Sequence, residues 1–265
     1  MSTIVDTARV VRWSATSAFS NLRATYTWKT WVFAWLVRIL CQVVFYALIG
    51  ELLGSQSQVN FLLVGNAVFV GATTALFVVP STMWERGTGT LPLQIASPSH
   101  PFVVFAGCSL QWLVDGLGVS TASLILVSML FGVQHTWWGI LAAIPMSLIT
   151  FFSVYWLGLA IAGFILGRPA LRNVIGNLTG LVLMILCGVQ VPTGFWPLPL
   201  QWLAQFLPLT HGLTAIRNAL AGSGPVWGPL ALEACVGTGW FLVAALTFRR
   251  FTDHGRKTGS IEFDE

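Results

Sequence analysis

Arg38 and Asp115 are ionisable residues that the sequence places inside long apolar runs. A charge at the centre of a membrane helix costs about 2.5–3.5 kcal/mol on insertion scales, so such a residue must pair, reach water or line a polar route. Arg38 follows Trp28 and Lys29 by about three helical turns, within snorkelling reach of an interface. Asp115 has Gln111 one turn before it, and its position leaves a structural ion pair and a place on a transmembrane path both open. Glu51 and Glu233 fall near the other ends of their runs, where water is expected to solvate them.

Little else in the chain has the spacing of chemistry. His100, His135, His211 and His254 are scattered, and Cys41, Cys108, Cys187 and Cys235 sit singly in apolar runs, so they read as buried small hydrophobes with no metal site expected. No HExxH, GxSxG or EF-hand loop is present. Gly255-Arg256-Lys257-Thr258 lacks the spacing of a phosphate-binding loop. If ATP is used, another chain must bind it.

The elements that position these residues follow from composition. Of 265 residues, 55% are hydrophobic and 8% charged, where a soluble domain carries roughly 25%. So few charges cannot cover a water-facing surface, and the solvent for most of the chain must be lipid. The basic residues form no stripe of the kind that binds nucleic acid. Apolar runs at 28–51, 59–83, 102–131, 137–166, 173–191 and 230–248 are each expected to cross a core that needs about 20 residues, giving an all-α protein of six transmembrane helices. Gly50 and Gly54, and Gly176 and Gly180, have the GxxxG spacing that permits close helix packing. The first 27 residues lack the apolar stretch of a cleaved signal. In that segment Val10, Trp13, Ser17 and Ser20 share one side of a helix and Arg9, Arg12 and Arg23 interleave, which suits a helix lying in the membrane interface.

Basic residues set the orientation. With the N-terminus inside, the cytoplasmic segments hold Arg9, Arg12, Arg23, Lys29, Arg86, Arg168, Arg172, Arg249, Arg250, Arg256 and Lys257, and the outside holds Arg217. Both termini are therefore expected in the cytoplasm of a cell-membrane protein. Residues 192–229 are odd for a loop in water. Phe195, Trp196, Trp202 and Phe206 are apolar, while Pro197, Pro199 and Pro208 forbid one continuous helix. A re-entrant helical hairpin on the external face is expected, since broken helices survive at membrane depth only where their backbone is satisfied.

The inner break at 84–101 carries Glu85-Arg86-Gly87-Thr88-Gly89-Thr90-Leu91-Pro92-Leu93, then Ser97-Pro98. It is long enough for a short helix along the cytoplasmic surface. This segment resembles the coupling region of ABC-2 type permeases, in which an acidic-basic pair, Gly-Thr, an apolar stretch and Ser/Thr-Pro follow the second span. Gly87-Thr88-Gly89-Thr90 doubles the Gly-Thr element, and Pro92 replaces a residue that is often acidic. The run from Val191-Pro192-Thr193-Gly194-Phe195-Trp196-Pro197 through Trp202, Leu207-Pro208 and Arg217 to Gly222 resembles the family's external hairpin.

The resemblance covers the whole chain as a single permease domain, and it implies a division of labour. Cytosolic ATP-binding-cassette subunits would hold ATP and Mg and hydrolyse the nucleotide, and this chain would have no catalytic site or cofactor of its own. Glu85, Arg86, Gly87, Thr88, Gly89, Thr90, Leu91 and Leu93 would contact that ATPase. Two permease copies, identical or homologous, would rock to move a hydrophobic small molecule, a natural product or drug, or a lipid-linked glycan outward. Arg38, Phe45, Phe69, Phe77 and Asp115 are the candidates for the path, with Trp156 a further aromatic on the spans. A membrane scaffold or sensor and a secondary transporter are the other readings. The second would need midplane carboxylates, of which Asp115 is the one on offer.

Overall fold

The computed structural model describes residues 9–10, 12–20, 27–87, 101–166 and 171–258. Among them there is helix and no strand. After a helix at 12–20 (α1) come α2 (Trp28–Leu52), α3 (Gln56–Ala75) and α4 (Val78–Gly87). Next are α5 (Pro101–Ser109), α6 (Gln111–Leu130), α7 (Trp137–Ile165), α8 (Arg172–Leu186), α9 (Leu198–Phe206), α10 (Thr210–Ala221) and α11 (Trp227–Thr258). Five helical stretches among the described residues are long and apolar enough to cross a membrane: Trp28–Leu52, Gln56–Thr82, Phe102–Leu130, Trp137–Ile165 and Trp227–Asp253. The chain is a multi-pass membrane protein.

The expected span at 173–191 is shorter than its apolar run. α8 has 15 residues, about 22 Å at 1.5 Å per residue, against a core of about 30 Å. Gly188 at φ +79° turns the chain out of the helix just after Cys187, a conformation that glycine enters without steric cost.

α3 is the centre of the bundle. It packs against α2, α6 and α7, while α7 also carries α10 and α11. Val64, Ala67, Val68, Ala72 and Ala75 of α3 are buried, and so is Phe69. One close approach is between glycines: a Cβ on Gly116 of α6 would sit 2.6 Å from the Gly71 carbonyl oxygen of α3, and one on Gly71 would strike the Phe151 ring. The spacing-based pairs behave differently. Gly54 lies in a turn at φ +71°, and a Cβ on Gly176 or Gly180 would meet nothing nearer than 3.9 Å. Among these four glycines, Gly50 alone is tight, against the backbone of Val59. Gly116→Val is therefore expected to lower stability by about 1–3 kcal/mol through overpacking, with Gly176→Ala near neutral. Thermal melting of both variants in detergent checks the contrast.

An aromatic cluster ties α5, α7 and α11 together. Phe102 contacts Trp156, Phe241 and Phe248 with ring centroids 5.7–6.1 Å apart. Tyr155 is fully buried, and its hydroxyl donates to the Ala106 carbonyl at 2.6 Å and lies 2.9 Å from Ser109 Oγ. A burial that would otherwise strand an O–H is thereby satisfied.

Candidate functional site

Polar and aromatic groups gather at two places in the bundle. At the first, the backbones of α2, of the α3–α4 junction and of the α5–α6 junction all leave regular helix. Trp31–Leu36 is a π-helical stretch within α2. Leu76 and Phe77 interrupt the helix between α3 and α4, and Leu110 separates α5 from α6. Side chains from these irregular stretches meet. Trp35 packs edge-on to Phe77 at 5.6 Å, and Phe77 stacks on Trp112 at 5.1 Å. Trp31 Nε1 donates to Asp115 Oδ1 at 2.5 Å. Asp115 is half-buried, and no basic residue is paired with it among the described residues. The buried Gln111 amide oxygen, one turn before Asp115, finds no hydrogen-bond donor.

The path candidates from sequence divide accordingly. Phe77 and Asp115 belong to this cluster. Arg38 is exposed, its guanidinium 4.8 Å from the Trp35 ring centroid. Phe45, two turns on along α2, is also exposed. Phe69 is packed inside the bundle. Trp156 lines a separate apolar cavity of about 220 Å³ between α7 and α11, with Phe152, Phe241 and Gly237.

The second place is the junction of α9 and α10. Pro197 and Pro199 start α9, where a missing N–H costs nothing. Pro192 precedes a tight turn at Thr193–Phe195, and Trp196 Nε1 donates to the Ile185 carbonyl at 3.2 Å. α9 turns Leu198, Trp202 and Phe206 outward, along with the preceding Phe195. After Pro208, Leu209 adopts φ +91°, a conformation that costs a non-glycine residue of order 1–3 kcal/mol.

The contacts that hold this break come from residues the sequence places toward the external side. Glu233 of α11 is fully buried. Its Oε1 accepts the Leu209 N–H at 2.9 Å and its Oε2 accepts the Gly212 N–H at 2.9 Å. The carboxylate thus caps the N-terminus of α10 from another helix, where anionic groups are favoured. The main-chain carbonyl of Glu233 accepts Ser153 Oγ at 3.1 Å, adding α7 to the joint. Gly212 fits because a Cβ there would collide with Thr150.

Arg217 is likewise inside. Its guanidinium donates to the carbonyls of Gly188 (2.8 Å), Val189 (3.2 Å) and Phe61 (2.9 Å), and lies 3.6 Å from the Phe61 ring centroid. It stitches the end of α8 to α3. The expected solvation of Glu233 therefore fails for a physical reason: an ionisable residue near the end of an apolar run looks the same whether water or a broken helix satisfies it. The signal was present in the glycines and prolines at 188–208, whose freed backbone groups need partners.

Of the residues expected to contact an ATPase, Glu85, Arg86 and Gly87 form the last turn of α4, which continues helical past the expected span end. Thr88, Gly89, Thr90, Leu91 and Leu93 lie outside the described residues.

Comparison with known proteins gives one assignment. The family model described as ABC-2 type transporter matches residues 17–221. No curated protein matches the chain. The matched stretch takes in every helix from α2 to α10, including the Asp115 cluster and the α9–α10 junction. The chain therefore belongs to the ABC-2 type transporter family, as a membrane-spanning permease component of an ABC transporter.

Proposed function

We propose that the chain is the permease subunit of an exporter, working with a separate ATP-binding-cassette ATPase and a second permease copy. Six crossings put both termini in the cytoplasm, α8 supplying the short crossing together with the turn at Gly188. α9 and α10 form a re-entrant hairpin in the outer leaflet. The outward-facing Leu198, Trp202 and Phe206 support this, because that much apolar surface is untenable in water. The burial of Arg217 removes the basic residue on the external side and so sharpens the charge asymmetry that places the termini inside. α1 lies in the inner interface. The cargo is a hydrophobic small molecule, a natural product or drug, or a lipid-linked glycan.

The observation that carries the coupling role is the continuation of α4 through Gly87. It extends an unbroken helix from the bundle to the charged pair Glu85-Arg86. A push on that end is transmitted along a rigid element to Phe77 and the Asp115 cluster. ATP can bias the permease only if the ATPase binds its two states with different affinity. Leu91, Leu93 and the flanking charges then form the contact, with apolar anchors filling a groove and charges at its rim.

The test is a reconstitution with the cognate ATPase. Truncating a buried anchor commonly costs about 2 kcal/mol, which is about thirtyfold in affinity. Leu91→Ala or Leu93→Ala is expected to weaken ATPase binding by that order and to uncouple transport, while Gln94→Ala changes little. Full ATPase binding and full transport in the double variant Glu85→Ala, Leu91→Ala would overturn the assignment.

A further inference from the structure

The geometry points to a binding site for a hydrophobic organic cation around Asp115, walled by Trp31, Trp35, Phe77 and Trp112. This names the cargo class and rests on the export reading above.

Three features converge. The first is charge. Asp115 accepts the neutral Trp31 indole N–H at 2.5 Å, and no lysine, arginine or histidine among the described residues pairs with it. A carboxylate at this depth with no counter-charge is costly and is rarely kept without use. The amide oxygen of Gln111, itself buried, is a second acceptor one turn away with no donor. A carboxylate without a counter-charge, beside a second acceptor without a donor, calls for a positive guest.

The second feature is the wall. Trp35, Phe77 and Trp112 form a contiguous aromatic run, and Trp31 is joined to the carboxylate. Aromatic faces attract cations through the ring quadrupole, and cages of several rings recognise quaternary ammonium groups. The chain already shows such an affinity here, since the Arg38 guanidinium lies 4.8 Å from the Trp35 centroid. An apolar cation satisfies the rings and the carboxylate together. A strongly hydrated inorganic ion would leave the rings unused.

The third feature is the backbone. A π-helical stretch at Trp31–Leu36, the break at Leu76–Phe77 and the break at Leu110 come together at this one place. π-Helical turns concentrate at functional sites, and irregular backbone at membrane depth is tolerated where it is buried in protein or lines a cavity. Asp115 lies one turn into α6, which by its 20 residues is long enough to cross the bilayer. With the termini inside, the site is reached from the inner leaflet, where an amphiphilic cation accumulates.

Tetraphenylphosphonium and tetraphenylborate, alike in shape and opposite in charge, test this on the purified full-length chain in neutral detergent. Quenching of tryptophan fluorescence is expected to saturate with tetraphenylphosphonium and not with tetraphenylborate. Asp115→Asn should weaken the cation at least tenfold, and Asp115→Glu should restore most of the affinity. Equal saturation by the two ions in the wild-type chain, which needs no variant to fold, would overturn the proposal. So would unchanged affinity in a folded Asp115→Asn chain. Binding is read without ATP or the ATPase, so a failure here leaves the export reading standing, and a failure of coupled transport leaves the binding result standing.

Discussion

Glu233→Ala is expected to lower stability by about 2–6 kcal/mol. The side chain accepts two buried N–H groups, from Leu209 and Gly212, and an orphaned buried donor costs about 1–3 kcal/mol. The loss is concentrated at one junction. Leu209 holds a left-handed backbone that its side chain disfavours, and its N–H is one of the two bonds that would vanish. The α9–α10 junction should loosen before the rest of the bundle does. Glu233→Gln keeps one good acceptor oxygen and should lose about half as much. Thermal melting of the purified chain gives the size of the effect. Hydrogen exchange at Leu209 and Gly212 gives its place. A Glu233→Ala chain that melts with the wild type, with unchanged protection at both amides, would show that the carboxylate does not cap α10.

Arg217→Met is expected to cost about 3 kcal/mol. Methionine fills much of the space but leaves the carbonyls of Gly188, Val189 and Phe61 without their donor. Hydrogen bonds to charged groups contribute about 1.5–3 kcal/mol each, and part of the sum is offset because a desolvated cation is removed. Arg217→Lys tests the role of shape. The guanidinium reaches two neighbouring carbonyls and a third on another helix through its planar fork, and an ammonium cannot cover that spread. Lysine should therefore recover a minor share of the loss. If lysine melts with arginine while methionine is destabilised, charge alone is sufficient and the fork is not. The readout is the melting temperature, with proteolysis between α8 and α9 reporting release of the segment.

The fold was legible where one cause fixes the outcome. Lipid solvent and backbone saturation force apolar runs into helices, so the five long spans stand where the hydropathy puts them. Packing partners were less legible. GxxxG spacing drew attention to Gly176 and Gly180, whereas a close contact forms between Gly71 and Gly116, on different helices with no shared spacing. Of the candidate site, Asp115 and Phe77 were readable as an acid and an aromatic in a span. Their joining to Trp31, Trp35 and Trp112 was not, because it depends on breaks in three helices at a common level. The solvation of Glu233 was misread and the contacts of Arg217 were not legible, because their partners are main-chain groups, which no side-chain pattern announces.

The central place of α3 bears on how the chain is made. The α2 span has a mean hydropathy of 2.2 with 22% of its window buried, and the α3 span has 2.1 with 89% buried. Two helices with such different neighbours are equally greasy. Each leaves the ribosome before its later partners exist, so each must first be stable among acyl chains alone. α3 emerges ahead of α6 and α7, the helices that eventually enclose it. Its sequence therefore records the lipid it met during synthesis more than the protein that surrounds it afterwards. Closure of the bundle then exchanges lipid for helix around α3, and the small faces of Gly71 and Gly116 make that exchange favourable without any gain in hydrophobic burial.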